Sequence, residues 1–201
     1  MKLDLLPIGL YEENIYVLHD NGHVLIVDPG KYPKEIMKCI DDNEIVDGIC
    51  LTHGHEDHTG AVDDLVDQYH CKVYMNMNDF ILVDPKYAGS HGFDAPVYSE
   101  ITPYTEDMTI GSFKLHIINT PGHTAGGVCI KYRNLLFTGD TLFAGSIGRT
   151  DLFSSNEKDM IESLRVLSQL PRDLIVLPGH GPKTTIKQEL DTNMFLSYLL
   201  K

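Results

Sequence analysis

The chain has 201 residues, 42% hydrophobic and 22% charged, which is the composition of a folded globular protein and excludes disordered, collagen-like and coiled-coil readings. Sixteen Lys and Arg against 29 Asp and Glu leave a net charge of −13, which repels polyphosphates and anionic lipid and argues against nucleic acid or a membrane surface as partner. Four isolated cysteines (Cys39, Cys50, Cys71, Cys129) form neither a disulfide framework nor a thiolate metal knuckle. Asp4 and Pro7 interrupt any apolar leader, and no run approaches the roughly 18 residues of a membrane span, so the expectation is a soluble cytoplasmic protein.

In chain order, residues 14–28 place two β-rich runs around Asn21-Gly22, a strong hairpin signal. Pro33 to Ile40 predicts a short helix and Ile45 to Leu51 a buried strand; Ala61, Val62, Leu65, Val66 and Tyr69 fall at helical spacing. Residues 84–105, rich in Pro, Gly, Asp and Ser without periodicity, read as a long functional loop. Strands are expected at 72–75, 113–119, 127–132 and 134–138, a helix at 157–169, a strand at 174–177 and a final helix over 184–199. No linker divides the chain, so one domain over 1–201 is expected, and hairpins mixed with β-α alternation point to mixed sheets covered by helices.

The most informative segment is Thr52-His53-Gly54-His55-Glu56-Asp57-His58-Thr59-Gly60, between a predicted strand and a predicted helix. His53 and His55 project to one side of an extended chain, and Gly54 lets the backbone approach and turn. Three imidazoles and a carboxylate in six residues suit borderline metals such as zinc, iron or manganese, whereas burying them unpaired costs several kcal/mol. Three further apolar runs each end in glycine and one metal-capable side chain: residues 118–123 at His123, 135–141 at Asp140, and 174–180 at His180. Donors gathered from several strand ends on one rim make a rigid site.

The H-x-H-x-D-H run followed by His123, Asp140 and His180 resembles the metallo-β-lactamase superfamily, and within it the glyoxalase II branch of thioester hydrolases. Pro121-Gly122-His123-Thr124, Gly139-Asp140-Thr141-Leu142-Phe143 and Gly148-Arg149-Thr150-Asp151 are similar to strings of its short bacterial members. The resemblance implies an α+β fold, a four-layer αβ/βα sandwich of two mixed sheets face to face with helices on the outer faces. It assigns His53, His55 and His123 to one metal and Asp57, His58 and His180 to another, with Asp140 bridging. Two divalent ions are implied, zinc before iron or manganese. The implied reaction is hydrolysis of a small-molecule thioester such as a hydroxyacyl-glutathione by a hydroxide held between the ions, with Asp57 as the catalytic residue that orients it. Asp140 sets the chain apart from the familiar zinc β-lactamases. Arg149 is a candidate substrate-binding residue, with pairing to Asp151 as the alternative, and Thr52 and Asp28 are candidates to fix histidine tautomers. A persulfide dioxygenase, with one iron on His53, His123 and Asp140, shares much of the pattern; a non-catalytic metal-binding protein is the reading from another class. His19, His23, His70 and His116 fall outside the pattern, and His91 sits in a loop suited to cover a substrate.

Overall fold

The computed structural model describes residues 1–9 and 12–199. The predicted hairpin lies within a six-stranded sheet: β1 (Lys2–Ile8), β2 (Glu13–Asp20) and β3 (His23–Val27) run antiparallel, then β4 (Ile45–Cys50), β5 (Lys72–Met75) and β6 (Ile101–Pro103) continue parallel to β3. Asn21 and Gly22 take φ of 54° and 79°, the pair of positive values that a tight two-residue hairpin turn requires. Helices α1 (Pro33–Met37), α2 (Glu56–Thr59), α3 (Val62–Tyr69) and α4 (Phe80–Val83) connect these strands. The second sheet has the order β14-β13-β10-β9-β8-β7. Its strands are β7 (Asp107–Ile110), β8 (Phe113–Asn119), β9 (Val128–Tyr132), β10 (Leu135–Gly139), β13 (Ile175–Pro178) and β14 (Thr184–Thr185), and β11 (Leu142–Phe143) with β12 (Ser146–Ile147) makes a separate small hairpin. Helices α5 (Glu157–Ser168), α6 (Ile186–Thr192) and α7 (Met194–Leu199) complete the chain.

The two-residue period of β2 explains the layering. All eight of its residues are buried. Ile15 and Val17 pack with Ile36 of α1 and Val62 and Leu65 of α3, while Tyr16 and Leu18 turn the other way onto Phe113, Ile130 and Phe137 of the second sheet. The outer face of that sheet, through Cys129, Leu136 and Val176, meets Met160, Leu164 and Leu167 of α5 and Ile186 of α6. Two mixed sheets thus lie face to face with helices on both outer faces. Among the described residues no helix is long and apolar enough to cross a membrane.

Several features depart from the expectations. The expected loop over 84–105 ends in a strand, since Ile101–Pro103 pairs with β5 as β6. Lys2–Ile8 is an edge strand whose signal, a half-exposed alternation, is weaker than that of β2. Asp107–Ile110 pairs with β8 across Gly111, so a hairpin stands where only its second strand is expected. The final helix is broken at Asn193, whose ψ of 114° is extended and whose Oδ1 accepts from Phe195 N–H at 3.0 Å, capping α7. Asn193 Nδ2 also donates to Ser146 O at 3.1 Å and to the buried Glu189 at 2.8 Å, tying the C-terminal helices to the β11–β12 hairpin.

Candidate metal centre

Strand direction builds the site. β8 and β10 both run antiparallel to β9, and β13 runs parallel to β10, so all three end at one rim of the second sheet. The end of β4 meets that rim, where Val128 N–H donates to Thr52 O at 2.9 Å across the two sheets. The segments leaving these four strands carry His53 to His58, His123, Asp140 and His180.

All seven side chains come together. Three groups of donors each lie within 4.8 Å of one another: His53, His55 and His123; His53, His58 and Asp140; and Asp57, His58 and His180. His123 Nε2 is 3.0 Å from His55 Nδ1, an approach of two ring nitrogens that a shared cation would explain. Asp140 reaches toward both ends of the cluster, with Oδ2 at 3.4 Å from His123 Nε2 and 3.6 Å from His180 Nε2, and Oδ1 at 3.5 Å from His58 Nε2. His53 Nε2, His58 Nε2 and Asp140 Oδ1 are buried and make no hydrogen bond. Buried polar atoms are ordinarily satisfied, so three orphans aimed into one cluster of imidazoles and carboxylates fit the donor set of divalent cations.

The far sides of the rings are held. Thr52 Oγ1 lies 3.1 Å from His53 Nδ1 and donates to Asp28 Oδ2 at 2.6 Å, while Asp28 Oδ1 accepts from Thr52 N–H at 2.7 Å. Asp28 Oδ2 also stands 3.1 Å from His58 Nδ1, and Arg149 O lies 3.0 Å from His123 Nδ1. Such contacts fix which ring nitrogen faces inward. Asp28 itself takes φ of 51°, turning the chain so that its carboxylate points back beneath the site.

Electrostatics divides the histidines. Burial, reinforced by neighbouring imidazoles, holds His53 well below its ordinary value and His55 down to about 4, so both stay neutral with a free lone pair near pH 7. His58 is also desolvated, but Asp140, Asp28 and Asp57 outweigh this and raise it well above the ordinary value. Asp57 resists its own burial through His180 and His58 and lies below the usual carboxylate range.

Four supporting residues carry no motif. Asn14 Nδ2 donates to Pro178 O at 3.0 Å and to Gly181 O at 2.8 Å, and Tyr16 Oη donates to Pro178 O at 2.7 Å, so the head of β2 positions the loop bearing His180. Beside them the Glu13 carboxyl is pushed up to about 9 by burial, against the pull of His58 and with the added push of Asp28, Asp57 and Asp140. Asp79, fully buried, accepts from Gly54 N–H at 3.0 Å, Thr124 Oγ1 at 2.7 Å and Gly126 N–H at 2.5 Å. Polar residues opening a strand as buried as β2 are a signal available in sequence; Asp79 has none. Gly30 serves a close approach, since a Cβ there would stand 1.5 Å from Asp57 O. Away from the site, His19 pairs with Glu44, His23 with Asp47 and His116 with Asp107, while His70 ends α3 in the left-handed region.

The cleft over the cluster has a volume of about 440 Å³ and is lined by His55, Asp57, His123, Asp140 and His180 together with Phe93, Phe143, Ile147, Leu152 and Arg149. The Arg149 guanidinium is engaged by Asp151, donating from Nε at 2.6 Å and Nη2 at 2.8 Å on the exposed rim.

Comparison with known proteins agrees with this geometry. The family model for the Metallo-beta-lactamase superfamily matches residues 8–180. The hydroxyacylglutathione hydrolase GloC of Haemophilus influenzae is 31% identical, over 98% of this chain and 99% of that protein. The BLEG-1 B3 metallo-beta-lactamase structure superposes with a TM-score of 0.86 at 33% identity, covering 98% of this chain and all 100% of that one. TTHA1623 in a di-iron-bound form gives 0.82 at 33% identity, over 96% and 99%. With the sheets, the rim and a match over most of the chain in agreement, the chain belongs to the metallo-beta-lactamase superfamily.

Proposed function

We propose that the chain is a hydrolase that holds two divalent cations and cleaves a thioester such as a hydroxyacyl-glutathione. The observation that carries this reading is the meeting of seven imidazole and carboxylate side chains around three orphaned buried donors. His53, His55 and His123 would hold one ion and Asp57, His58 and His180 the other, with Asp140 placed to serve both. The donor set accepts zinc, iron and manganese alike, and the di-iron form of a 33% identical structure supports iron beside zinc. When bound, such a pair acidifies water and polarises a carbonyl oxygen.

The protein's own groups do the rest. Asp57, kept ionised by His180 and His58, accepts a hydrogen bond from the attacking water and orients it; its low basicity suits orientation better than storage of the proton. A departing thiolate, with a parent pKa of about 8.5, needs no strong general acid. The Arg149 guanidinium, exposed and paired with its equally exposed neighbour Asp151, can exchange that screened partner for a substrate carboxylate.

The test is a panel of lactoyl-glutathione, acyl-coenzyme A thioesters, a β-lactam and glutathione persulfide with oxygen, run on protein of measured metal content. Thioester turnover with kcat/KM above roughly 10⁴ M⁻¹s⁻¹ and about two ions per chain is the expected result. One iron with oxygen uptake on the persulfide overturns the hydrolase reading, and β-lactam turnover without thioester turnover overturns the substrate assignment.

A pH dependence follows from His58. In the metal-free protein its imidazole is held protonated by three carboxylates, and a cation at Nε2 displaces that proton. Ion uptake at this site is therefore expected to release about one proton, and affinity to strengthen as pH rises toward the elevated His58 value. Calorimetry in buffers of different ionisation enthalpy measures the proton; its absence would mean that the three carboxylates do not hold His58 protonated before the ion arrives.

A further inference from the structure

We propose that the cleft selects thioesters with an apolar acyl group, and that His91 and Phe153 form a clasp holding the wall that makes the selection; this rests on the thioester reading above. Aromatic rings flank both ends of the donor cluster. Phe93 stands edge-on to His55 at 6.2 Å between centroids, and Phe143 stands edge-on to His180 at 6.1 Å. Ile147 and Leu152 add aliphatic surface, and the Arg149 guanidinium stands on the exposed rim, paired with Asp151. A volume of about 440 Å³ accommodates a small ligand against this apolar lining.

Phe93 and Leu152 belong to two loops that share no strand. The rings of His91 and Phe153 join them, stacked with centroids 3.9 Å apart and planes at 25°. The first loop aims its own imidazole. His91 Nδ1 lies 3.1 Å from Asp94 Oδ2, and the buried Asp94 carboxylate accepts the N–H groups of Gly89, Ser90 and His91 at 2.7, 3.2 and 3.0 Å. Each loop is also moored beside the donor cluster: Glu56 N–H donates to Phe93 O at 2.9 Å, and Ser155 Oγ donates to His123 O at 2.7 Å. The stack thus ties together two separately anchored halves of the wall. His91 and Phe153 act as positioning residues, through Phe93 and Leu152.

The experiment titrates metal-loaded protein with acetate, butanoate and hexanoate by calorimetry, then measures turnover of thioesters of one thiol bearing the same acyl groups. Affinity is expected to rise roughly two- to fourfold per added methylene, the scale set by burying a CH₂ in an apolar site. His91→Ala and Phe153→Ala are each expected to flatten this ladder and to raise KM for the hexanoyl substrate about tenfold with little change in kcat, the binding loss expected of several methylenes released to water. His91→Phe, which keeps a stacking ring, restores the ladder. A flat ladder in the unaltered protein, or one that survives both alanine substitutions, overturns the proposal. A ladder of binding without turnover of any thioester leaves the apolar pocket standing and removes the hydrolase reading instead.

Discussion

Asp140→Asn is expected to lower thioester turnover roughly 1000-fold and to reduce bound metal from two ions to one. The lost charge stabilisation amounts to several kcal/mol, and each 1.36 kcal/mol is about tenfold in rate. The substitution nearly preserves shape, so its effect isolates charge and donor character. The two oxygens of Asp140 face His58 on one side and His123 and His180 on the other, and its Oδ1 is buried without a hydrogen bond. An amide in its place presents an NH₂ group to ring nitrogens or to a cation, neutralises one of the charges that hold His58 protonated, and leaves one acceptor where two are needed. Gly179→Ala separates position from charge. Gly179 lies outside the left-handed region, so alanine is tolerated by the backbone, but its Cβ would stand 2.2 Å from Asp140 Oδ1 and 2.8 Å from His58 Cε1. Displacement with the charge intact is expected to cost about 10- to 100-fold, the range seen when the support of a metal ligand is disturbed. Metal stoichiometry and turnover measured together decide the matter: two ions and unaltered rates in Asp140→Asn would mean that this carboxylate spans nothing.

The parts of the fold legible in sequence are those whose signal is local. The Asn21-Gly22 turn, the helix ending at Tyr69 and the glycine-led His or Asp after each apolar run can be read from fewer than ten consecutive residues. The strand ends that carry His123, Asp140 and His180 are recognisable one by one; that they share a rim follows from β8, β10 and β13 running the same way, which no single run declares. The supports are harder to read because their partners are far along the chain. Asp28 and Thr52 are 24 residues apart, yet both sit next to a predicted strand end, which is why the pair can be nominated. Asn14 bonds to Pro178 across 164 residues, and nothing in either neighbourhood points to the other. Edge strands suffer similarly: β1 and β7 bury one face at most, so their alternation is faint beside that of β2. His91 shows the same division, since its loop composition is visible in sequence whereas its stacking on Phe153 belongs to the tertiary structure.

Asp79→Asn is expected to lower the melting temperature by about 5–15 °C and to weaken the first metal site about 10- to 100-fold, although residue 79 touches none of the seven donors directly. Asp79 sits between the turn carrying His53 and His55 and the loop carrying His123. Its Oδ2 accepts from Gly54 N–H and Thr124 Oγ1, and its Oδ1 accepts from Gly126 N–H. Burial pushes this carboxyl upward, and the Thr124, Gly126 and Gly54 donors pull against that push, so the acceptor character is supplied by the surroundings. Asparagine has one acceptor oxygen, and either orientation of the amide turns its NH₂ toward a donor. One or two buried N–H or O–H groups then lose their partner at about 1–3 kcal/mol each, and in a protein of this size each kcal/mol moves the melting point by about 2–4 °C. The effect reaches the metal site because the same bonds set the 3.0 Å approach of His55 Nδ1 to His123 Nε2, one residue away on either side. Asp79→Glu, which restores two acceptors on a longer arm, should recover part of the stability but not the spacing. Thermal melts with and without metal, alongside a competition titration for the ions, separate the two losses. If Asp79→Asn melts and binds metal as the unaltered protein does, the two sheets are joined at this rim by other contacts, and the geometry of His55 and His123 does not depend on the carboxylate beneath them.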